Sequence, residues 1–305
     1  MAFIIKYGVA SFNLDVTEIV LSKLNKNGIC TIPANDHNRS TIFTDPLIGT
    51  LKSIFVINTE ENICAVYDNT KTVYIDLGKK ISYTTSNENA DSIRCKLLDI
   101  QKQMHIDFGS FNDEFPEQMM AVKYLTGKEK VLEIGGNIGR NSLVIGYILN
   151  NCENTDFVSL ECDEKIAKQL THNRNINGLK FQIESSALSK RNLIQRGWDT
   201  FESDVVLPGY TSVNTLTYAE LCQKYGIQFD TLVLDCEGAF YYILLDMPEI
   251  LDNINLIIME NDYHEIERKK TVDTILREHN FYVDHSESGG WGCCEANFFE
   301  VWKRG

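Results

Sequence analysis

The sequence predicts an α/β protein in which a mostly parallel sheet, covered on both faces and spanning residues 110–305, follows a small β-rich module, residues 1–80, and a linker with one helix, residues 81–109. Three observations carry that prediction. From Phe115 onward, short apolar runs alternate with amphipathic stretches, the pattern of strands and helices stacked in βαβ units. Lys130 to Gly139, KVLEIGGNIG, reads as a buried strand feeding a glycine-rich turn that opens a helix. Before residue 80 the apolar runs are short, alternating or β-branched, and separated by turn-formers.

Taken in order, Phe3 to Tyr7, Gly28 to Ile32, Leu51 to Ile57, Ile63 to Tyr67 and Thr72 to Leu77 read as strands, broken by Asn35-Asp36-His37-Asn38 and Asp45-Pro46. Asp15 or Thr17 caps a short helix through Leu24. His37, Arg39 and Asp45 fall in the turns, where the ordinary polarity of surface loops accounts for them. Ile93 to Met104 is amphipathic, with Ile93, Leu97, Leu98 and Ile100 apolar. Asp113 to Gln118 precedes a helix and is a candidate to face the ligand, although Pro116 in the first turn is sufficient structural reason for the segment. Further strands are expected at 130–134, 157–161, 180–183, 230–235 and 255–260, and helices at 140–149, 163–175, 217–225, 239–246 and 264–278. The end of the chain differs: Asn280 to Val283 and Asn297 to Trp302 flank a loop of Ser, Gly and Trp, which predicts a terminal antiparallel hairpin.

Composition narrows the function. The formal charge of −14 supplies no sequence-wide basic face, so small or neutral acceptors are expected and nucleic acid or anionic lipid is not. No apolar run approaches the roughly 20 residues of a membrane span, and the N-terminal segment lacks the pattern of a secretory signal, which predicts a cytoplasmic protein. The 9 cysteines are scattered without a CxxC, and only Cys293 and Cys294 are adjacent, so reduced thiols are expected.

In an open α/β sheet the ligand lies beyond the carboxyl ends of the strands. Gly135, Gly136 and Gly139 permit close backbone approach after the first strand, with Asn137 between them, and Glu133 is placed to attract the amino group or sulfonium of a cationic ligand. A dinucleotide turn needs glycines at i, i+2 and i+5, and Ile134 stands where the first would be, so a nicotinamide cofactor is disfavoured. Glu161, at the end of the second strand, offers two acceptor oxygens to a ribose diol. Ser185 and Ser186 come just after the third strand.

These residues resemble the FkbM type of class I S-adenosylmethionine-dependent methyltransferases over about residues 115–302. EIGGNIG looks like that family's acid-glycine turn, Glu161 its ribose-binding acid, IESSALS the segment beside the adenine, Asp235-Cys236-Glu237-Gly238 its D-x-E-G signature, and Ile257-Ile258-Met259-Glu260 the strand ending in glutamate. Leu232-Val233-Leu234 lacks a lysine common in the family, and Phe240 replaces a common acid. The N-terminal module resembles the C-terminal part of some DnaJ-like proteins through YG…DVT…IP…DP-x-x-G-x-x-K-S-I.

The resemblance implies a Rossmann-like seven-stranded sheet, S-adenosylmethionine as methyl donor, and O-methylation of a sugar or glycan hydroxyl. An N-methyltransferase, a non-sugar acceptor, or a non-catalytic binding protein on the same fold are the alternatives. Acceptor orientation and proton removal fall to Asp235 and Glu237, then to His264, and Asp235 lies beside the cofactor as well. Asp235, Glu260 and Asp262 together would suit Mg²⁺. The long stretch from Asn192 to Val213, with Trp198 and Tyr210, and the loop Ser288 to Gly292 are expected to cover the site. The N-terminal module is expected to bind a partner or build a homo-oligomer.

Overall fold

The computed structural model describes residues 3–60, 63–84 and 88–305. The chain forms two compact units, Met1–Asp91 and Ser92–Gly305.

In the first unit, alternation along β1 (Phe3–Val9) buries Phe3, Ile5 and Tyr7 on one face. β2 (Phe12–Asp15) folds back on it, and α1 (Thr17–Lys23) starts where Asp15 Oδ1 accepts the Thr17 N–H and hydroxyl. β3 (Asn25–Lys26), β4 (Ile29–Ile32), α2 (Asp36–Phe43), β5 (Ser53–Asn58), β6 (Ile63–Tyr67), β7 (Val73–Asp76) and β8 (Ile81–Thr84) complete two antiparallel sheets, ordered β2-β1-β5-β6 and β3-β4-β7-β8. Val16, Val20, Cys30, Ile32, Phe43, Ile54, Val56, Val73 and Ile75 join the inward residues of β1 in one core.

Two cations lie in this unit's interior. Arg39, expected on a surface loop, is fully buried, and its guanidinium donates to the carbonyls of Pro33, Asp68 and Lys71 at 2.8, 2.9 and 2.6 Å. A buried guanidinium persists because these carbonyls replace water. Lys52, 1% exposed, pairs with Asp36 and Asp45 at 2.8 Å each and donates to the carbonyls of Leu47 and Thr50. Asp36 also accepts the Tyr7 hydroxyl at 2.7 Å. His37 takes part through its backbone: its N–H donates to the Asn35 cap and its carbonyl accepts the Ser40 and Thr41 hydroxyls.

The second unit is a seven-stranded sheet flanked by helices. Its elements are α3 (Glu88–Lys102), which crosses the boundary between the units, α4 (Phe115–Tyr124), β9 (Val131–Ile134), α5 (Arg140–Asn150), β10 (Phe157–Leu160), α6 (Glu164–Ile176), β11 (Gln182–Glu184), β12 (Ala187–Leu188), β13 (Leu193–Arg196), β14 (Asp199–Glu202), β15 (Thr211–Val213), β16 (Thr215–Leu216), α7 (Tyr218–Tyr225), β17 (Thr231–Leu234), α8 (Phe240–Asp246), β18 (Leu256–Glu260), α9 (Ile266–Glu278), β19 (Phe281–Glu287) and β20 (Phe299–Arg304). The order is β11-β10-β9-β17-β18-β20-β19, parallel through β18 and antiparallel for the final hairpin. This is the class I methyltransferase-like form of the Rossmann fold, as predicted.

Local chemistry sets the element ends. Asp163 caps α6 by accepting the Lys165 and Ile166 N–H groups, Thr217 and Glu220 form a capping box on α7, and Gly226 closes α7 in a left-handed conformation. All four residues of β9, β10 and β17 are buried, which a strand covered on both faces requires. The stretch from Asn192 to Val213 is a small sheet, ordered β14-β13-β15.

Lys52→Ala is expected to destabilise the first unit by about 3 kcal/mol, since it strands Asp36 and Asp45 without their cation. Chemical denaturation of the variant beside the native chain measures it.

Candidate functional site

The site is organised by the meeting of β9 and β17. Gly135 comes directly after β9 with φ +95°, and a Cβ there would stand 1.6 Å from the Asp235 carbonyl oxygen. Only glycine lets the two strand ends converge. The Gly135 and Gly136 N–H groups donate to the Leu160 carbonyl at 3.0 and 2.8 Å, tying the turn to β10. A Cβ at Gly136 would strike the Ser159 hydroxyl, and one at Gly139, φ +98°, would strike Leu170 on α6.

Glu133 does not reach the cavity, contrary to the sequence expectation. Its carboxylate turns beneath the glycine turn, 2% exposed, and accepts hydroxyls from Ser142 and, at 2.6 Å, Ser159. Burial pushes it up to about 7 against those two donors, with Glu114 and Glu161 adding like charge. It secures the turn from below and is too enclosed to meet a ligand's cation.

Above the turn lies a cavity of about 990 Å³ whose lining includes Gly135, Asn137, Glu161, Ser186, Asp235, Glu237 and His264. Glu161 Oε2 accepts the Asn137 N–H at 2.9 Å and Oε1 the Asp163 N–H at 2.7 Å, so both oxygens are oriented where the carboxylate lines the cavity. Asn137 takes the left-handed conformation, φ 46°, which asparagine tolerates better than most residues. Ser186 lines the cavity with its hydroxyl on Glu184, whereas Ser185 does not line it, because successive residues past a strand point to opposite sides.

Beyond β17 and β18 the chain gathers acids. Among the described residues, no hydrogen-bond donor reaches the Asp235 carboxylate, and oxygens of Asp235, Glu260 and Asp262 all lie within 4.8 Å of one another. Burial first, then the neighbouring acids, pushes Asp235 well above the ordinary carboxylate range, Glu260 up to about 11 and Asp262 up to about 7. Glu117, from the first turn of α4, comes within hydrogen-bonding reach of Glu260, and its own pKa is raised by burial. The sequence offers Asp113 to Gln118 as a segment on the ligand side, but the meeting of Glu117 with Glu260 carries no local motif, because the two lie far apart in the chain. Glu114 is held by Arg140 at 2.7 Å, which also reaches Asp113 at 3.5 Å.

Glu237 has φ +52° in the tight turn after β17 and is exposed to the cavity; burial of part of its carboxyl raises its pKa while His264 lowers it. His264 is exposed, precedes α9 and leans on Trp291 at 4.7 Å between ring centroids. The β13–β15 flap supplies Trp198, Asp199, Phe201 and Tyr210 to the cavity wall, Trp198 being 66% exposed. Arg191 and Arg268 on the opposite side stack over Tyr242 and are paired with Asp246 and Glu265. The Ser288 to Gly292 loop contributes to the site only through Trp291 against His264. Cys293 and Cys294 lie side by side, their sulfurs 3.8 Å apart.

No family model matches the chain, and no curated protein matches it. Solved structures with some likeness include an O-methyltransferase from Bacillus cereus in complex with SAH, 12% identical, covering 71% of this chain and 90% of that one, TM-score 0.37. Others are a ribosomal protein L11 methylase from Lactobacillus delbrueckii, 13% identical over 63% and 79% of the two chains, TM-score 0.38, and a candidate tRNA (m1A22) methyltransferase from Streptococcus pneumoniae, 13% identical over 62% and 72%, TM-score 0.40. At such identities and scores, the strand order of this structure itself carries the fold.

Three expectations are corrected by these findings. The chain is not assigned to the FkbM type: no model of that family matches, and what the solved structures share with it is the general class I form. The DnaJ-like resemblance of the first unit is withdrawn on the same ground. The expectation that nucleic acid is no partner is also withdrawn: the solved structures with some likeness include candidate RNA methyltransferases, and an acidic net charge by itself does not exclude such an acceptor. No helix among the described residues is long and apolar enough to cross a membrane.

Because the folded state holds the Glu133 proton up to about 7, it binds more protons than the unfolded chain from the ordinary carboxylate range to that pH. Stability contributed at this position therefore falls as pH rises through that window, by on the order of 3 kcal/mol for a shift of this size. Glu133→Gln is expected to flatten that part of the pH–stability curve, read by thermal unfolding from pH 4.5 to 8.

Proposed function

We propose that the second unit is an S-adenosylmethionine-dependent methyltransferase acting on an oxygen or nitrogen of a non-sugar molecule. The observation that carries this reading is Glu161: a nearly buried carboxylate, both oxygens fixed by backbone N–H groups, in the cavity wall beside a glycine turn at the switch point of strand order. A ribose diol fits a carboxylate oriented this way, and Gly135 keeps side-chain atoms out of the space beside it. When bound, S-adenosylmethionine supplies a methyl group already activated on a sulfonium.

The protein's task is then to place the acceptor atom in line and take its proton. Glu237, with His264 beside it on the cavity wall, takes the acceptor's proton, and Asp235 orients the acceptor. The sugar hydroxyl rested on the FkbM resemblance and loses its support with it. Trp198, Phe201, Tyr210 and Tyr242 in the acceptor-side wall favour a planar ring instead.

Calorimetric titration with S-adenosylhomocysteine is expected to give saturable one-site binding, absent with NAD; failure to bind overturns the reading. Glu161→Ala is expected to weaken that binding by about 1–3 kcal/mol, the range for charge-assisted hydrogen bonds. Glu237→Gln is expected to leave it unchanged and to lower methyl transfer to an acceptor by about 10²–10⁴-fold, the usual contribution of a positioned base. Methyl transfer from labelled cofactor to planar phenols, planar amines, sugars and RNA identifies the acceptor class.

A further inference from the structure

The acceptor side of the cavity carries negative charge with no free base to balance it. The arginines in its wall are engaged: Arg191 pairs with Asp246 at 2.6 Å and Glu202 at 2.9 Å, and Arg268 with Glu265 at 2.7 Å. Asp199, on the flap strand β14, and Glu237, in the turn after β17, both line the cavity, and among the described residues no lysine or arginine pairs with either. Burial raises the Glu237 carboxyl and His264 lowers it, and the like charge of Asp199 raises it further, so flap and turn act on each other across the opening. A cleft walled by one sign of charge concentrates ligands of the opposite sign.

The rings on the same wall favour that sign too. A period of two puts Asp199 and Phe201 on one face of β14, and Tyr210 meets Phe201 edge-on, with ring centroids 5.1 Å apart. Trp198, at the tip of the hairpin, is 66% exposed. Guanidinium groups nearby already use such faces: Arg196, outside the cavity lining, lies 4.6 Å from the Tyr210 centroid, and Arg191 and Arg268 lie 4.9 and 5.2 Å from that of Tyr242. An aromatic face presents negative charge to a ligand, so Trp198 and Phe201 reinforce Asp199.

We infer that the acceptor is a planar molecule bearing a cationic amine, with the amine at Asp199 and the ring against Trp198 and Phe201. That substrate class rests on the methyltransferase reading of the cavity and adds the charge to it. Asp199 holds the amine, while Glu237 keeps its task at the acceptor atom and adds to the attraction on the cation. A neutral ring keeps the stacking and loses the charged contact. An anionic one meets both acids with no free guanidinium on the wall to receive it.

Probes of one shape and different charge test this on the full chain: tryptamine, tryptophol and indole-3-propionate, titrated by calorimetry with and without saturating S-adenosylhomocysteine. Tryptamine is expected to bind tighter than tryptophol by about fivefold or more, the range of a charged contact at a half-open wall, and indole-3-propionate more weakly than either. Asp199→Asn is expected to remove the preference for tryptamine and to leave tryptophol within about twofold of its native affinity. Glu164→Gln, which removes an exposed acid on α6, is expected to keep the preference. No tryptamine binding, equal binding of tryptamine and tryptophol, a preference that survives Asp199→Asn, or an equal loss in Glu164→Gln each overturns the inference. Titration with S-adenosylhomocysteine keeps the two readings apart: cofactor binding without a preference for tryptamine sinks the charged acceptor alone, and a preference lost in Asp199→Asn without cofactor binding sinks the methyltransferase alone.

Discussion

The approach of Gly135 to the Asp235 backbone is the constraint on which the second unit's cavity depends. Adjacent parallel strands run about 4.8 Å apart, and past their ends the chain normally diverges into separate loops. Here a backbone with no side chain lies against a carbonyl, so the turn after β9 and the acids after β17 share one rim. The other glycines extend the same logic outward: Gly136 clears the Ser159 hydroxyl, and Gly139 admits Leu170 from α6. Each contact leaves no room for a methyl group, which is why the turn is specified by absence of side chain more than by polarity.

Around that rim, similar carboxylates acquire different work from their surroundings. Glu133 is sealed under the turn with two hydroxyls and acts as an internal fastening. Glu161 is fixed by backbone donors and lines the cavity. Asp235, Glu260 and Asp262 crowd together with Glu117 beside them, and burial with mutual repulsion pushes each of these acids toward its neutral form. Glu237, in a left-handed turn beside His264, is the acid most open to an incoming acceptor. Burial and the availability of donors, rather than residue type, separate these roles.

The first unit solves a different problem. Its core is small, and two cations take structural places in it: Arg39 gathers three loop carbonyls, and Lys52 joins Asp36, Asp45 and two further carbonyls. The residues that made this segment look motif-like, Tyr7, Asp15, Thr17, Asp45 and Lys52, are thereby explained by internal bonding. A motif of this kind is a signature of a fold and carries no ligand by itself.

The sequence by itself determined the strands and helices of the second unit, because continuous apolar runs, Asp163 and Thr217 caps, and the glycine turn act locally. It also determined which segments would reach the carboxyl edge, and so nominated Glu161, Asp235, Glu237, Glu260, Asp262 and His264. Which way each side chain points was decided only in three dimensions: Glu133 was legible as an acid at a strand end, but its descent beneath the turn depends on Ser142 and Ser159 from two other elements. Arg39 was legible as a polar loop residue, yet its burial depends on carbonyls from separate turns. Glu117 was legible only as part of a segment on the ligand side, since its partner acids come from strands far along the chain, and like charges act on one another through space with no local pattern to announce it.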